Sequence, residues 1–382
     1  LNGLRVLDLT QVVAGPCAGR ILVEYGADVI KINSATAGVV PAEFSTSGRP
    51  ADPGNQQHEH LNRGKRSILL DVASPQGREV FWQLVEKADV VMQNFPLGTA
   101  ERYGIDYEAA RAHKPDIIYF SLSAYGYEGP MGAWRGYEGN AQAATGLMDR
   151  FGGDGPPMSQ PFLLDDYGTG VRGAFGIALA VYHRLQTGRG QHVMTALVET
   201  ASYHQAAYLL DYAGKAWDEP RGPAALGQGP LQRLYKAKDA WFFLGAADED
   251  LPRLAEIAGL DGIAGLRGRE LELGLEHRFA REPLAVWLDR LRGYSIGAHG
   301  LDRMRDLMES PWSKAHGLSI TQQIEEVGAV QMPGVAPRMS RTPPRPGFPV
   351  RPPGADLPQV LEEHGLADRL PDLVRASAVR FP

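Results

Sequence analysis

A single cysteine, Cys17, stands in 382 residues. No disulfide can therefore form within the chain, and no thiolate metal cluster can assemble. No apolar run approaches the ~20 residues a membrane helix needs; the longest candidate, Gly173–Tyr182, ends in His183-Arg184. Cationic excess is missing too, with 39 Lys and Arg against 45 Asp and Glu and a formal net charge of −6. A broad nucleic-acid surface works by displacing phosphate counterions and is not expected here, although a local basic pocket for a phosphorylated ligand stays open. No cationic leader precedes the first strand-like residues, so the expected location is the cytoplasm. Neither a repeat nor a heptad register stands out.

What is present is ordinary globular composition, 43% hydrophobic and 22% charged, in a length that accommodates two domains. Arg5–Leu9 is short, apolar and bounded, as a buried parallel strand is. Ala14-Gly15-Pro16 reads as a turn, Ala18–Tyr25 as a helix and Ala27–Ile32 as a second strand. This opening has the order of a dinucleotide fold, but its glycine fingerprint is missing and Asn33 stands where a ribose-binding acid belongs. The stretch 35–57 reads as a loop. Strands are expected at 67–71, 88–92 and 116–121, and Ser74-Pro75 opens a helix with proline at its first position. Strands alternating with helices predict an α/β fold with a mostly parallel, doubly wound sheet. A small-residue helix is expected over 168–185, a strand over 191–197 and a helix over 198–210. Composition shifts to Gly and Pro around 220–230, as at a domain boundary. Trp241–Gly245 reads as a strand, 250–330 as charged helices, 343–358 as an extended proline-rich segment and 360–370 as a short closing helix.

The most informative segment is Leu163-Leu164-Asp165-Asp166-Tyr167-Gly168-Thr169-Gly170. Two carboxylates follow an apolar stretch and precede the small-residue helix, where a helix N-terminus favours the anionic form. On local pattern alone Asp166 is equally a helix N-cap or a reactive group. His58 and His60 are spaced as a chelate would be, but no third ligand follows, and no metal is expected. The other histidines carry little signal.

The wider chain resembles the class III CoA-transferase family, which also contains acyl-CoA racemases. The resemblance rests on Gly3-Leu4-Arg5-Val6-Leu7-Asp8-Leu9-Thr10, Ala14-Gly15-Pro16, Gly26-Ala27-Asp28-Val29-Ile30-Lys31, Asn62-Arg63-Gly64-Lys65-Arg66-Ser67, Asn94-Phe95, Pro115-Asp116-Ile117-Ile118-Tyr119 and Thr187-Gly188-Arg189-Gly190-Gln191. Each is weak alone; together, in one order, they are specific. The family's Asp-x-x-Thr-Gly register falls on Asp166, one residue after Asp165. The resemblance implies that Asp166 is the nucleophile, supported by Glu138 in Tyr137-Glu138-Gly139-Asn140-Ala141-Gln142. Coenzyme A would be a substrate rather than a tightly bound cofactor. Its site would be lined by Val12, Val13, Ala14, Lys65, Asn94, Phe95, Arg102 and Arg135. Val13 stands where oxalate-handling members carry glutamine, so a less polar acid is expected.

The implied reaction moves coenzyme A from an acyl-CoA to a carboxylic acid through aspartyl anhydride and aspartyl-CoA thioester intermediates. Two alternatives remain at this point. One is an α-methylacyl-CoA racemase, although Tyr137 replaces that branch's histidine and tyrosine is a poor base near neutral pH. The other is a non-catalytic half of a heteromeric or fused transferase. The resemblance further implies an interlocked homodimer. Each chain would have a Rossmann-like large domain over 1–215 and 326–382, the latter with a C-terminal helix, and a smaller α/β domain over 216–325. No nucleic-acid or membrane partner is expected.

Overall fold

The computed structural model describes residues 1–35, 60–160, 162–324 and 328–381. The loop expected at 35–57 lies outside them except for Ala35, as does His58. Two compact units emerge. The first comprises 1–147, 159–210 and 311–382; the second comprises 148–158 and 211–310.

The first unit is built on a seven-stranded sheet. Its parallel strands are β1 (Arg5–Asp8), β2 (Asp28–Asn33), β3 (Arg66–Leu70), β4 (Val90–Gln93), β5 (Ile118–Ser123) and β6 (His192–Ala196). They run in the spatial order 3-2-1-4-5-6, the doubly wound arrangement in which the chain reverses its direction of travel between β1 and β4. The residues of β1 and β4 are nearly all buried, as parallel strands covered on both faces must be. A last short strand, Val379–Arg380, adds antiparallel beside β3. Its strand character comes from that pairing, and nothing in the tail's sequence pattern announces it.

Helix α1 (Ala14–Glu24) starts inside the Ala14-Gly15-Pro16 segment read as a turn. Pro16 is tolerated because a helix's first turn has no use for its missing N–H. Helix α2 (Pro75–Glu86) begins as expected, with the Ser74 side chain accepting from the Gly77 N–H. Of the later helices, α3 (Glu138–Ala144), α4 (Leu164–Thr187) and α5 (Leu197–His204) matter for function. Helix α4 begins four residues before the predicted start at Gly168, which places both aspartates inside its first turn. Its small residues face inward. A methyl group on Gly170 would come within 2.8 Å of the Ala14 carbonyl and the Cys17 sulfur, and one on Gly173 within 2.6 Å of the Phe120 ring. Glycine therefore lets α4 lie directly against α1 and the sheet. Its large residues face outward: Phe175 is 64% exposed, and Val171, Leu179, Tyr182 and Leu185 are exposed with it.

The second unit contains a four-stranded antiparallel sheet made of Gly227–Gly229, Gln232–Lys236, Trp241–Gly245 and Gly297–Gly300. Helices over Gly268–Phe279 and Leu284–Gly293 bury Leu275, Phe279, Trp287 and Leu291 with Tyr235 and Phe242 of the sheet. The strand at Gly297–Gly300 and a hairpin of Ser319–Ile324 with Gly328–Pro333, the latter in the first unit, replace helices expected over 250–330. Among the described residues no helix is long and apolar enough to cross a membrane.

Candidate active site

In an open parallel sheet, ligands bind beyond the carboxyl ends of the strands, at the point where strand order reverses. A cleft of about 280 Å³ lies there, walled by the residues following β1 (Val12, Val13, Ala14) and β4 (Asn94, Phe95). Arg135 and Asp166 complete it. Of the sequence-predicted residues, these seven are brought together, and all belong to the first unit.

Asp166 is the third residue of α4, whose N-cap position is Leu163, so it is not an N-cap. The capping is supplied from elsewhere. The buried Glu138 carboxylate accepts from the Asp165 N–H at 3.1 Å through Oε1 and from the Asp166 N–H at 2.6 Å through Oε2. Gln142, one turn further along α3, donates to the same Oε1 at 2.8 Å. Two of the four orphan N–H groups of α4 are thus satisfied by an anion placed at the positive end of the helix. Glu138 fixes the backbone that carries Asp166, and the Asp166 carboxylate itself is left to the cleft. No described residue donates a hydrogen bond to it, although Asp166 is only 9% exposed.

That placement has an electrostatic consequence. Burial raises the Asp166 pKa to about 7, with the neighbouring Glu138 and Asp165 charges adding to the effect. Asp165 is also pushed up, first by burial and then by Glu138, while His204 pulls it back. Its Oδ1 lies 3.0 Å from His204 Nδ1, and its Oδ2 is buried without a partner among the described residues. Three carboxylates and one imidazole therefore form one cluster behind the cleft. His204, from the end of α5, escaped the sequence reading: it lies 39 positions from Asp165, and no local spacing joins them. Cys17, beside Asp166, has its thiol pushed up to about 11 by burial, so it stays neutral near pH 7.

The start of α1 also lines the cleft, and its N-cap residue Val13 offers no side-chain cap. Val12, just before it, has φ 70°. Such a left-handed conformation in a β-branched residue costs on the order of 1–3 kcal/mol and concentrates at functional sites.

Two predicted ligands stand elsewhere. Lys65, 2% exposed, directs its ammonium at the buried Asp8 carboxylate at 2.8 Å, the Pro16 carbonyl at 2.9 Å and Asn62 Oδ1 at 3.2 Å. It supports the cleft from beneath α1. Arg102 donates to Thr99 Oγ1 at 3.2 Å and lies over the Tyr103 ring on the exposed surface. Among the described residues, no group of three His, Cys, Asp or Glu side chains is arranged to hold a metal.

An ionisable carboxylate that lines a cleft together with the start of a helix is suited to nucleophilic attack on a carbonyl whose oxygen gains charge. The family model described as CoA-transferase family III matches residues 1–356. Succinate–glutarate CoA-transferase from Agrobacterium fabrum is 30% identical over 95% of this chain and 95% of its own length. Succinyl-CoA:glutarate CoA-transferase from Homo sapiens is 28% identical over 89% of this chain and 80% of its own. Among solved structures, a CAIB/BAIF family protein from Brucella suis superposes with a TM-score of 0.79 at 28% identity, covering 95% of this chain and 98% of that one.

Proposed function

This chain belongs to CoA-transferase family III, and from that membership we propose that Asp166 carries coenzyme A between an acyl-CoA and a carboxylic acid by covalent catalysis. The observation that carries the proposal is the Asp166 carboxylate itself, buried, unpaired and facing the cleft. One of its oxygens attacks the thioester carbonyl carbon, the C–S bond breaks, and CoA thiolate leaves behind a mixed anhydride. The thiolate attacks the aspartyl carbonyl and expels the first acid, giving an aspartyl-CoA thioester. The acceptor carboxylate attacks that thioester, and the thiolate finally takes the acceptor's acyl carbon. The bridging oxygen stays on Asp166.

Charge developing on each carbonyl oxygen is met by the first N–H groups of α1, fixed in place before the reaction. Val12, Val13, Ala14, Phe95 and Arg135 would contact the thioester, the pantetheine chain and, through the guanidinium, an anionic group of the substrate. Lys65 would act through Asp8 and the α1 support, and Arg102 at the outer surface. In this proposal the large domain, expected over 1–215 and 326–382, holds the CoA site, and the protein works in the cytoplasm without a tightly bound cofactor.

The oxygen path supplies the test. After turnover with a succinate or glutarate acceptor labelled with ¹⁸O in its carboxylates and succinyl-CoA or acetyl-CoA as donor, the peptide containing Asp166 gains ¹⁸O in its mass spectrum. CoA transfer with no label in the enzyme would rule out the anhydride route. The same reactions, read for acyl-CoA products, identify the acceptor.

The dimer expected from sequence is part of the proposal, and α4 supports it. Val171, Phe175, Leu179, Tyr182 and Leu185 form an apolar exposed stripe at helical spacing, larger than scattered surface residues account for. Its occupant is a second copy of this chain. Sedimentation should give a dimer, and Phe175→Glu with Leu179→Glu should shift it towards monomer; a monomeric wild type would refute this.

A further inference from the structure

The turn between β1 and α1 holds a conformation its sequence disfavours. Val12 sits at φ 70°, where a β-branched side chain clashes with its own backbone and where glycine would sit freely. Something outside the turn must impose it, and the adjoining strand end does. The Gln11 N–H donates to Asn94 Oδ1 at 2.9 Å, and Asn94 Nδ2 donates to the Gln11 carbonyl at 2.9 Å. This is the reciprocal pairing of an antiparallel ladder, made by a side chain across the gap between β1 and β4.

The clamp is itself anchored. Gln93, the last residue of β4, donates through Nε2 to Ser121 Oγ on β5 at 2.8 Å, and its Oε1 accepts from the Phe95 N–H at 2.6 Å. Asn94 is therefore gripped on either side by Gln93 before it grips Gln11. On the far side of Val12 the chain enters α1 directly, with Val13 at the N-cap and the Cys17 N–H bonded to the Val13 carbonyl at 2.8 Å. Whatever fixes the Val12 backbone fixes the direction of the first turn of α1, and Val12, Val13 and Ala14 line the cleft that holds Asp166.

We propose that Asn94 is a positioning residue whose two-bond clamp on Gln11 holds Val12 left-handed and thereby aims the first turn of α1 at the carbonyl undergoing attack. The proposal rests on Asp166 as the nucleophile of CoA transfer. It differs from the reading of Asn94 as a direct CoA contact, because its carboxamide is spent on the backbone of the same wall.

Glycine at position 12 distinguishes the two. Four proteins are compared: wild type, Asn94→Ala, Val12→Gly and the double variant. Asn94→Ala should lower kcat for CoA exchange about tenfold, as small misplacements of a preorganised site do, with KM for acyl-CoA within about twofold. Adding Val12→Gly should restore kcat several-fold over Asn94→Ala, since glycine reaches the left-handed conformation unaided. Urea midpoints give a second readout that needs no turnover. Val12→Gly should raise the midpoint in wild type, where the clamp enforces the strain, and not in Asn94→Ala, where the turn has relaxed.

A raised KM with no recovery of kcat in the double variant would make Asn94 a CoA ligand and overturn the proposal. So would equal midpoint shifts from Val12→Gly in the two backgrounds. If wild type shows no CoA exchange at all, the functional reading fails, and the midpoints still decide the clamp.

Discussion

Asp166→Ala loses CoA exchange by on the order of 10⁴-fold or more in kcat, the size of effect that removal of a covalent nucleophile produces. Binding of acyl-CoA should survive, because most of the cleft wall comes from residues after β1 and β4 and from 122–124 and 132–137, and Asp166 is its one lining residue from α4. Asp166→Asn should lose activity equally while keeping shape, since a carboxamide does not attack a thioester. In wild type, only ionised Asp166 attacks, and its pKa is raised to about 7 by burial and by Glu138 and Asp165. The value of kcat/KM should therefore fall tenfold per unit as pH drops below about 7.

The same group leaves a mark on stability. A carboxyl group with a folded-state pKa above its unfolded value of about 3.9 binds more protons when folded. Its contribution is fully present below pH ~3.9 and is lost as pH rises towards 7. Asp166→Asn, which never ionises, should thus gain stability relative to wild type progressively from pH 4 to 7 and hold the gain above. Urea titrations across that range read it; a difference independent of pH would mean that Asp166 is not held protonated by burial. Asp166→Ala retaining full exchange would remove the covalent mechanism altogether.

Much of the fold could be read from residue patterns, while the site residues came from the family resemblance, for reasons that differ from element to element. The parallel sheet was legible because short apolar runs alternate with helical stretches, whereas Asp166 was singled out over Asp165 only by the resemblance, through the Thr169-Gly170 that completes the family's register. The start of α1 was not legible, since Ala-Gly-Pro carries the local marks of a turn and becomes helical only when packed against α4. The start of α4 was missed for a related reason: its glycines depress helix propensity, and the turn holding Asp165 and Asp166 is capped by Glu138, 28 residues from Asp166. Its resemblance-based role as a support for the nucleophile was available from sequence; that the support runs through two backbone N–H groups was not. The strand at Gly297–Gly300 has the composition of a loop and is made by its partner at Trp241–Gly245. His204 and the strain at Val12 left no local signal at all.

Lys65 was the sequence-predicted CoA ligand whose surroundings differ most from that role, and its network predicts the largest stability effect. Asp8 is fully buried between two ammonium groups, Lys65 at 2.8 Å and Lys31 at 3.6 Å, and Lys31 also reaches the Thr10 carbonyl. Together they hold the pKa of Asp8 below the usual carboxylate range against its burial, while burial lowers that of Lys65. Asp8→Asn would leave the fully buried Lys65 ammonium without its carboxylate, at about 3–5 kcal/mol. Lys65→Met leaves Asp8 paired with Lys31 and loses chiefly hydrogen bonds to Pro16 and Asn62, so it should cost nearer ~2 kcal/mol. The two also differ in their response to pH. A stranded Lys65 sheds its proton more readily folded than unfolded, so the Asp8→Asn deficit should shrink as pH rises towards 10, whereas the Lys65→Met deficit should change little. Urea unfolding at pH 7 and 9.5 measures both. With Lys65 spent on Asp8 beneath α1, the folded Lys65→Met protein should bind acyl-CoA as wild type does. Normal stability with lost acyl-CoA affinity would instead place the Lys65 ammonium on the ligand.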